Sequence, residues 1–276
     1  MKFWQVFEYR KKFFMEKNIL SVQKKNNICT LTLNRPEKRN SLSLDLLAEL
    51  NTKLKELSID NSVRTLVIRG AGDIAFSSGF DIRSILDSVS REKFKAQDPL
   101  ESLFQNIINF PYPVIAMMNG SAYGAGYELA LCCDIRIGAE DIVVSMPPSK
   151  IGVMYSVAGL QRFIQTLGLR TTKEIFFTGS IYNGLQLKEK GLADYLVLRN
   201  ELESFTYNMA EKIASNAPLA LKGTKRILNL LQNKAELNEN EAEEAESIIA
   251  ESLDSDDLKE GQAAFLEKRK PVFRGK

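Results

Sequence analysis

Two short stretches of this chain carry residue types arranged for chemistry. Asn119 to Asp134 reads Asn-Gly-Ser-Ala-Tyr-Gly-Ala-Gly-Tyr-Glu-Leu-Ala-Leu-Cys-Cys-Asp and follows an apolar run, Pro113 to Met118. The pattern predicts a strand that breaks into a glycine-rich turn and then opens a helix. Such a turn lets backbone N–H groups point outward at a helix N-terminus, where they can receive developing negative charge. Phe76 to Ile82 reads Phe-Ser-Ser-Gly-Phe-Asp-Ile and follows a second apolar run, Val63 to Arg69. It offers a second N–H, and two donors converging on one point make an oxyanion hole. One glycine-rich turn alone is more often just a tight turn. The pair, in this order and with these flanks, is the stronger signal.

Glu128 falls in the first turn of the helix that the glycines open. An acidic residue there complements the helix dipole, or it stands beside the oxyanion hole to hold a water or move a proton. Met146 to Ser156 reads Met-Pro-Pro-Ser-Lys-Ile-Gly-Val-Met-Tyr-Ser, a rigid loop between a strand and a helix. Its Tyr155 is either a packing aromatic with a polar tip or a group facing the same pocket. Lys38 and Arg39, and the basic run Glu267-Lys-Arg-Lys-Pro271, are solvated surface or contacts for phosphates.

These residues need a scaffold, and composition bounds it. The 276 residues are 44% hydrophobic and 26% charged, ordinary globular values that suit one large domain with an appended helical segment. A net charge of +2 gives no global argument for nucleic acid or a membrane surface, and no apolar run reaches the roughly 18 residues of a spanning helix. The 3 cysteines cannot form a disulfide framework. Cys132 and Cys133 sit in apolar sequence and read as buried free thiols of a reducing compartment, so the expected location is cytoplasmic. The chain has no histidine, which excludes Ser-His-Asp and Cys-His hydrolases and makes a zinc site implausible. Met1 to Asn18 mixes aromatic and charged residues too closely for a signal peptide and reads as an extra surface segment.

Along the chain, Ile19 to Gln23 and Ile28 to Leu33 are expected to be strands joined by a Lys-Lys-Asn-Asn turn. Ser43 to Leu57 has leucines at helical spacing with Ser43 as N-cap. Val63 to Arg69 and Pro113 to Met118 read as buried strands, and Ile82 to Val89, Leu100 to Phe110 and Tyr127 to Cys133 as helices. Ile135 to Ile137 and Ile142 to Ser145 read as short strands. From Ala158 onward the pattern is helical apart from a strand near Tyr195 to Leu198. Strand–strand–helix units therefore repeat through the first two-thirds, ahead of a helical tail from about Glu201. This is an α/β chain of stacked turns, not a doubly wound sheet. Gly120, Gly124 and Gly126 do not have the spacing of a dinucleotide fingerprint.

The motifs together resemble the crotonase (enoyl-CoA hydratase/isomerase) superfamily from about residue 19 to the end. They are Leu33-Asn-Arg-Pro-Glu-Lys-Arg-Asn-Ser-Leu42, Phe76-Ser-Ser-Gly-Phe-Asp81, Pro113 to Glu128, Phe177-Thr-Gly179 and Ala264 to Pro271. The resemblance implies a spiral core of ββα turns over residues 19–200 and a helical trimerisation region over 201–276, assembled as a homotrimer or a dimer of trimers. It also implies an acyl-CoA thioester substrate whose carbonyl oxygen sits between the N–H groups of Phe80 and Ala125. Coenzyme A would enter as part of the substrate, with no separate cofactor and no metal. Glu37, Lys38 and Arg39 match the segment that lines the CoA path, and Lys268 a basic residue that reaches a CoA on the neighbouring subunit. Ser78, Asp81, Gly124 and Pro148 fall on the same loops and are expected to line the substrate. Ile82 to Phe104 is expected to shape the acyl pocket.

The reaction type follows less directly. Hydratases of the family use two glutamates; Glu128 matches the first, whereas the second falls on Pro148, which also disfavours a simple isomerase. The loop ending in Tyr155 resembles that of methylmalonyl-CoA decarboxylases, which nevertheless carry a histidine where this chain has Phe80. The leading expectation is a hydratase-like lyase, with Glu128 activating water and Tyr155 or a water chain replacing the missing carboxylate. The alternative is decarboxylation of methylmalonyl-CoA or a similar branched malonyl-CoA. A non-catalytic CoA-binding or RNA-binding scaffold is the third reading. The near-neutral charge and the absence of a basic stripe interleaved with aromatics disfavour RNA.

Overall fold

A computed structural model describes residues 18–81, 98–151, 153–232 and 238–276. The expected surface segment Met1 to Asn18 apart from its last residue, the expected helix from Ile82 to Val89 and most of the stretch assigned to the acyl pocket lie outside the described residues.

β1 (Leu20–Lys25) and β2 (Ile28–Leu33) pair antiparallel across a turn in which Asn26 and Asn27 take φ of 51° and 62°. Asparagine tolerates this left-handed region better than most residues. α1 (Leu44–Ser58) follows, with the Ser43 side chain accepting from the Leu46 N–H as its sequence position predicts. Its Leu46, Leu47, Leu50, Leu54 and Leu57 form one buried face, each contributing about 1.5–3 kcal/mol of burial.

Three turns of the same plan come next. β3 (Thr65–Gly70) and β4 (Ala75–Ser77) lead to α2 (Pro99–Ile108). β5 (Val114–Met118) and β6 (Ser121–Tyr123) lead to α3 (Ala125–Leu131). β7 (Ile135–Ala139) and β8 (Val143–Ser145) lead to α4 (Val157–Thr178), whose two halves meet at non-helical Gly168. β9 (Ile181–Asn183), α5 (Leu185–Glu189) and β10 (Tyr195–Val197) complete the spiral. The first strand of each of these three turns joins one sheet together with β1, β2 and β10, ordered β1-β2-β3-β5-β7-β10 and parallel from β2 onward. The second strand joins the other sheet, ordered β4-β6-β8-β9, in which β8 and β9 run antiparallel.

The small sheet is where the structure adds most to the sequence reading. β4 and β6 lie inside stretches that read as turns, and β9 inside one that reads as helical. At three residues each, they are too short to show a period of two.

α6 (Leu202–Ala214) lies on the large sheet, where Tyr207 and Thr30 share a hydroxyl–hydroxyl bond of 2.9 Å. α7 (Pro218–Leu231), α8 (Glu239–Asp254) and α9 (Asp256–Leu266) follow. Cys132 and Cys133 are buried free thiols, as their apolar context predicts, and Cys29 is a third. Among the described residues no helix is long and apolar enough to cross a membrane.

Two of the passages between the sheets are fastened by buried asparagines. Asn40 donates to the carbonyls of Ala71 at 3.0 Å and Ala75 at 2.7 Å, and accepts from the Arg35 N–H at 3.1 Å. Asn119 accepts from the Gly70 N–H and donates to the Gly70 carbonyl, both at 2.9 Å. Asn40 is fully buried, so Asn40→Ala leaves several polar groups without partners. The expected loss is about 1–3 kcal/mol of unfolding free energy in a urea titration, with the denaturant slope unchanged.

Candidate active site

The segment from Arg35 to Leu42 and the loop after β4 are laced together. Pro36–Lys38 forms one 3-10 turn, which leaves Glu37, Lys38 and Arg39 exposed at its edge. The Ser78 N–H donates to the Arg39 carbonyl at 2.9 Å, and the Ser77 hydroxyl donates to the Asn40 carbonyl at 2.9 Å. Leu42 pairs with Phe80 in a parallel bridge, its N–H donating to the Gly79 carbonyl at 2.9 Å. Asp81 forms an ion pair with Arg35 at 3.3 Å, and Arg35 also donates to the Ser41 carbonyl at 2.6 Å. Asp81 thereby fixes the end of the loop.

The β4–β6 pairing brings this loop against the glycine turn. Gly79 has φ +92°, and a Cβ there would stand 2.6 Å from the Tyr123 carbonyl and 3.4 Å from the Ala125 nitrogen. Only a residue without a side chain permits that approach. The segments carrying Phe80 and Ala125 are therefore neighbours. Gly124, whose N–H donates to the Ser145 carbonyl at 3.0 Å, precedes α3, and Ala125 is its first residue.

Glu128 points into the protein. It is 3% exposed, although it lies in the first turn of α3. The Tyr155 hydroxyl donates to its Oε2 at 2.6 Å. Arg162, one turn into α4, donates to its Oε1 from Nε at 3.2 Å and from Nη2 at 2.8 Å. The same guanidinium donates from Nη1 and Nη2 to the two oxygens of Glu101 at 2.8 and 2.7 Å. The Phe104 ring lies beneath it at 5.1 Å. Burial pushes the Glu128 carboxyl above its ordinary range, against the opposing pull of Tyr155 and Arg162. Tyr155 is raised well above the usual tyrosine range by burial and by the Glu128 anion, so it is a neutral donor.

The Tyr155 ring is seated by Phe176 at 5.0 Å and Phe163 at 6.1 Å, both edge-on. Gly159 gives it room, since a Cβ there would stand 2.8 Å from the ring. Pro148 is buried in the 3-10 turn Pro148–Ile151 and carries no ionisable group. Lys268 is exposed, at φ +53°, in the turn after α9. One copy of the chain thus brings together the 36–39 segment, the 78–81 loop, the glycine turn, Glu128 and Tyr155.

Arg162 and Glu101 were not legible as site residues. They are separated from Glu128 by 34 and 27 positions, and each lies in an ordinary amphipathic helix. One signal was present: a glutamate inside Tyr-Glu-Leu-Ala-Leu cannot be buried without a cation or a proton donor.

The sequence model of the enoyl-CoA hydratase/isomerase family matches residues 23–276. The chain belongs to that family. Its sequence is 34% identical over 251 residues to methylmalonyl-CoA decarboxylase of Escherichia coli (strain K12), an alignment covering 91% of this chain and 95% of that protein. It is 31% identical over 256 residues to the short-chain-enoyl-CoA hydratase of Clostridium acetobutylicum, covering 93% and 97%. The crystal structure of an enoyl-CoA hydratase from Bacillus anthracis superposes with a TM-score of 0.86 at 31% identity, covering 94% of this chain and all of that one. The fold is accordingly the crotonase spiral.

The Glu101–Arg162 contact carries a pH signature. The guanidinium hydrogen bonds hold the Glu101 carboxyl below the usual glutamate range. A carboxylate depressed in the folded state contributes stability above its unfolded pKa and loses it as pH falls through the folded value. Glu101→Gln is therefore expected to be less stable than the natural protein by about 1–2 kcal/mol at pH 7. The gap should close as unfolding is measured at pH values below the ordinary glutamate range.

Proposed function

We propose that this protein is a CoA-thioester lyase working through a thioester enolate, and that its reaction is loss of carbon dioxide from a methylmalonyl-CoA-like thioester. The observation that carries the reading is the loop after β8. Pro148, the position that the resemblance matches to the second glutamate of the family's hydratases, is buried and carries no ionisable group, and Tyr155 reaches Glu128 at 2.6 Å. The similarity to the E. coli decarboxylase supports the same choice.

In this reading the thioester oxygen sits between the N–H groups of Phe80 and Ala125, whose segments abut at Gly79. The bond between C2 and the substrate carboxylate breaks, and its electron pair moves into the thioester as an enolate. Carbon dioxide leaves, and C2 takes a proton from water. Oxyanion donors of this kind are each worth about 3–4 kcal/mol in the transition state. The reaction asks little of a protein base, which suits a chain without histidine. Glu37, Lys38 and Arg39 edge the CoA path.

Hydration of a 2-enoyl-CoA is the second reading. It is favoured by the retention of Glu128 and by the hydratase relatives. It requires Glu128 to accept a proton from water while Arg162 and Tyr155 already occupy its oxygens.

The assembly is inferred to be a homotrimer or a dimer of trimers. Large apolar side chains are exposed along the Tyr155 loop and the 177–185 segment, among them Met154 at 94%, Val157 at 83% and Phe177 at 77%. Ser149 donates to the Phe176 carbonyl at 2.9 Å, so these two segments lie side by side. An apolar face of this kind is normally covered by a partner. Lys268 then belongs with the neighbouring copy's CoA.

Mass spectrometry of methylmalonyl-CoA and crotonyl-CoA after separate incubation decides between the reactions. Conversion of the first to propionyl-CoA, with the second unchanged, is expected; the reverse would establish hydration. Ala125→Pro, at a helix position where proline is tolerated, should slow either reaction about 100–1,000-fold by deleting one donor. Light scattering should give a trimer or hexamer mass, and Met154→Glu with Phe177→Glu should reduce it. A monomeric natural protein would refute the assembly.

A further inference from the structure

Glu128 looks like a general base only when it is viewed alone. A base must take up and release a proton during turnover, which requires a free lone pair and a modest difference between its two states. Here Oε1 accepts two guanidinium N–H groups of Arg162, and Oε2 accepts the Tyr155 hydroxyl. Arg162 is itself held from its far side by both oxygens of Glu101, and Gln105 donates to Glu101 Oε1 at 2.9 Å. All three guanidinium nitrogens are committed. The guanidinium can neither rotate away nor trade partners without leaving one carboxylate unpaired, and Glu128, with a side chain 4% exposed, cannot turn to water instead.

A buried ion pair is a poor investment for stability alone, because desolvation offsets much of the attraction. Its geometry here serves orientation. A carboxylate locked at Oε1 is left with Oε2 alone to hold a further donor, and the Tyr155 hydroxyl lies there. The hydroxyl hydrogen is then committed to Glu128.

We propose that Arg162, braced by Glu101, is a positioning residue that keeps Glu128 a permanent anion, so that Glu128 orients the Tyr155 hydroxyl and does not itself carry the reaction's proton. This deepens the enolate reading above and rests on it for the activity arm of the test alone. Among the described residues, the charged and titratable groups around Glu128 are Arg162 and Tyr155 on α4 and the loop before it, Glu101 on α2, and Cys132 at the C-cap of α3.

The test is carboxyl NMR of full-length protein labelled with [5-13C]glutamate, with Glu128→Gln assigning the Glu128 resonance. In the natural protein that resonance should sit at the ionised position at pH 7. In Arg162→Met the lost counter-charge should move its titration up by about 1–3 pH units. The acid limb of kcat should move by a similar amount, with kcat falling more than KM rises, and Arg162→Lys should restore part of the ionisation. Where Arg162→Met does not fold, Arg162→Lys carries the test, with the same upward movement at smaller size. A protonated Glu128 at pH 7 in the natural protein would overturn the proposal. So would a Glu128 titration in the Arg162 variants that has not moved. The resonance is read without substrate, so a wrong choice of thioester leaves this arm intact.

Discussion

Three turns of the spiral leave one sheet and enter another, and at such a corner the backbone loses its ladder partners. Unpaired N–H and C=O groups in a buried corner cost far more than an ordinary hydrogen bond gains. Asn119 solves this at the β5–β6 corner by pairing with both polar groups of Gly70, as a strand residue would. Asn40 does the same work beside the β3–β4 corner. Because those corners are closed, the 78–81 loop and the glycine turn can lie within van der Waals reach at Gly79. The site is thus a by-product of how the chain changes sheets.

The site's electrostatics follow from the same architecture. α3 buries its first turn against the next turn of the spiral, so an acidic residue placed there for the helix dipole is carried into the interior with it. A lone anion at that depth would take up a proton. The guanidinium from α4 and the phenol from the loop before it make an ionised Glu128 tenable, and Glu101 from α2 absorbs the remaining donors of the guanidinium. Three successive turns therefore contribute to one charge cluster.

Much of this was legible in the sequence, in proportion to how local the physics is. The leucine face of α1 and its Ser43 cap are periodicity and capping, and both read directly. The glycine-rich opening of α3 read equally well because its backbone demands are local. The strands of the small sheet did not, since Ala75–Ser77, Ser121–Tyr123 and Ile181–Asn183 are strands by virtue of neighbours from other turns. Glu128 and Tyr155 stood out by residue type and position, while the contact between them depends on the bend of the loop after Pro148. Arg162 was invisible for the same reason: its partner is a matter of tertiary packing.

The large sheet is laid down in chain order, with β5, β7 and β10 each added beside the previous strand. A chain growing from its N-terminus can therefore assemble its core turn by turn, without waiting for a distant strand. The charge cluster sets a limit on that convenience. Glu128 emerges one turn before Arg162, so a nascent chain that has completed α3 but not α4 holds a carboxylate with no counter-ion available. Until α4 arrives, α3 must stay open to water or keep Glu128 protonated. Docking of the fourth turn is then the step at which the third becomes dry, which couples the last part of the spiral to the settling of the part before it.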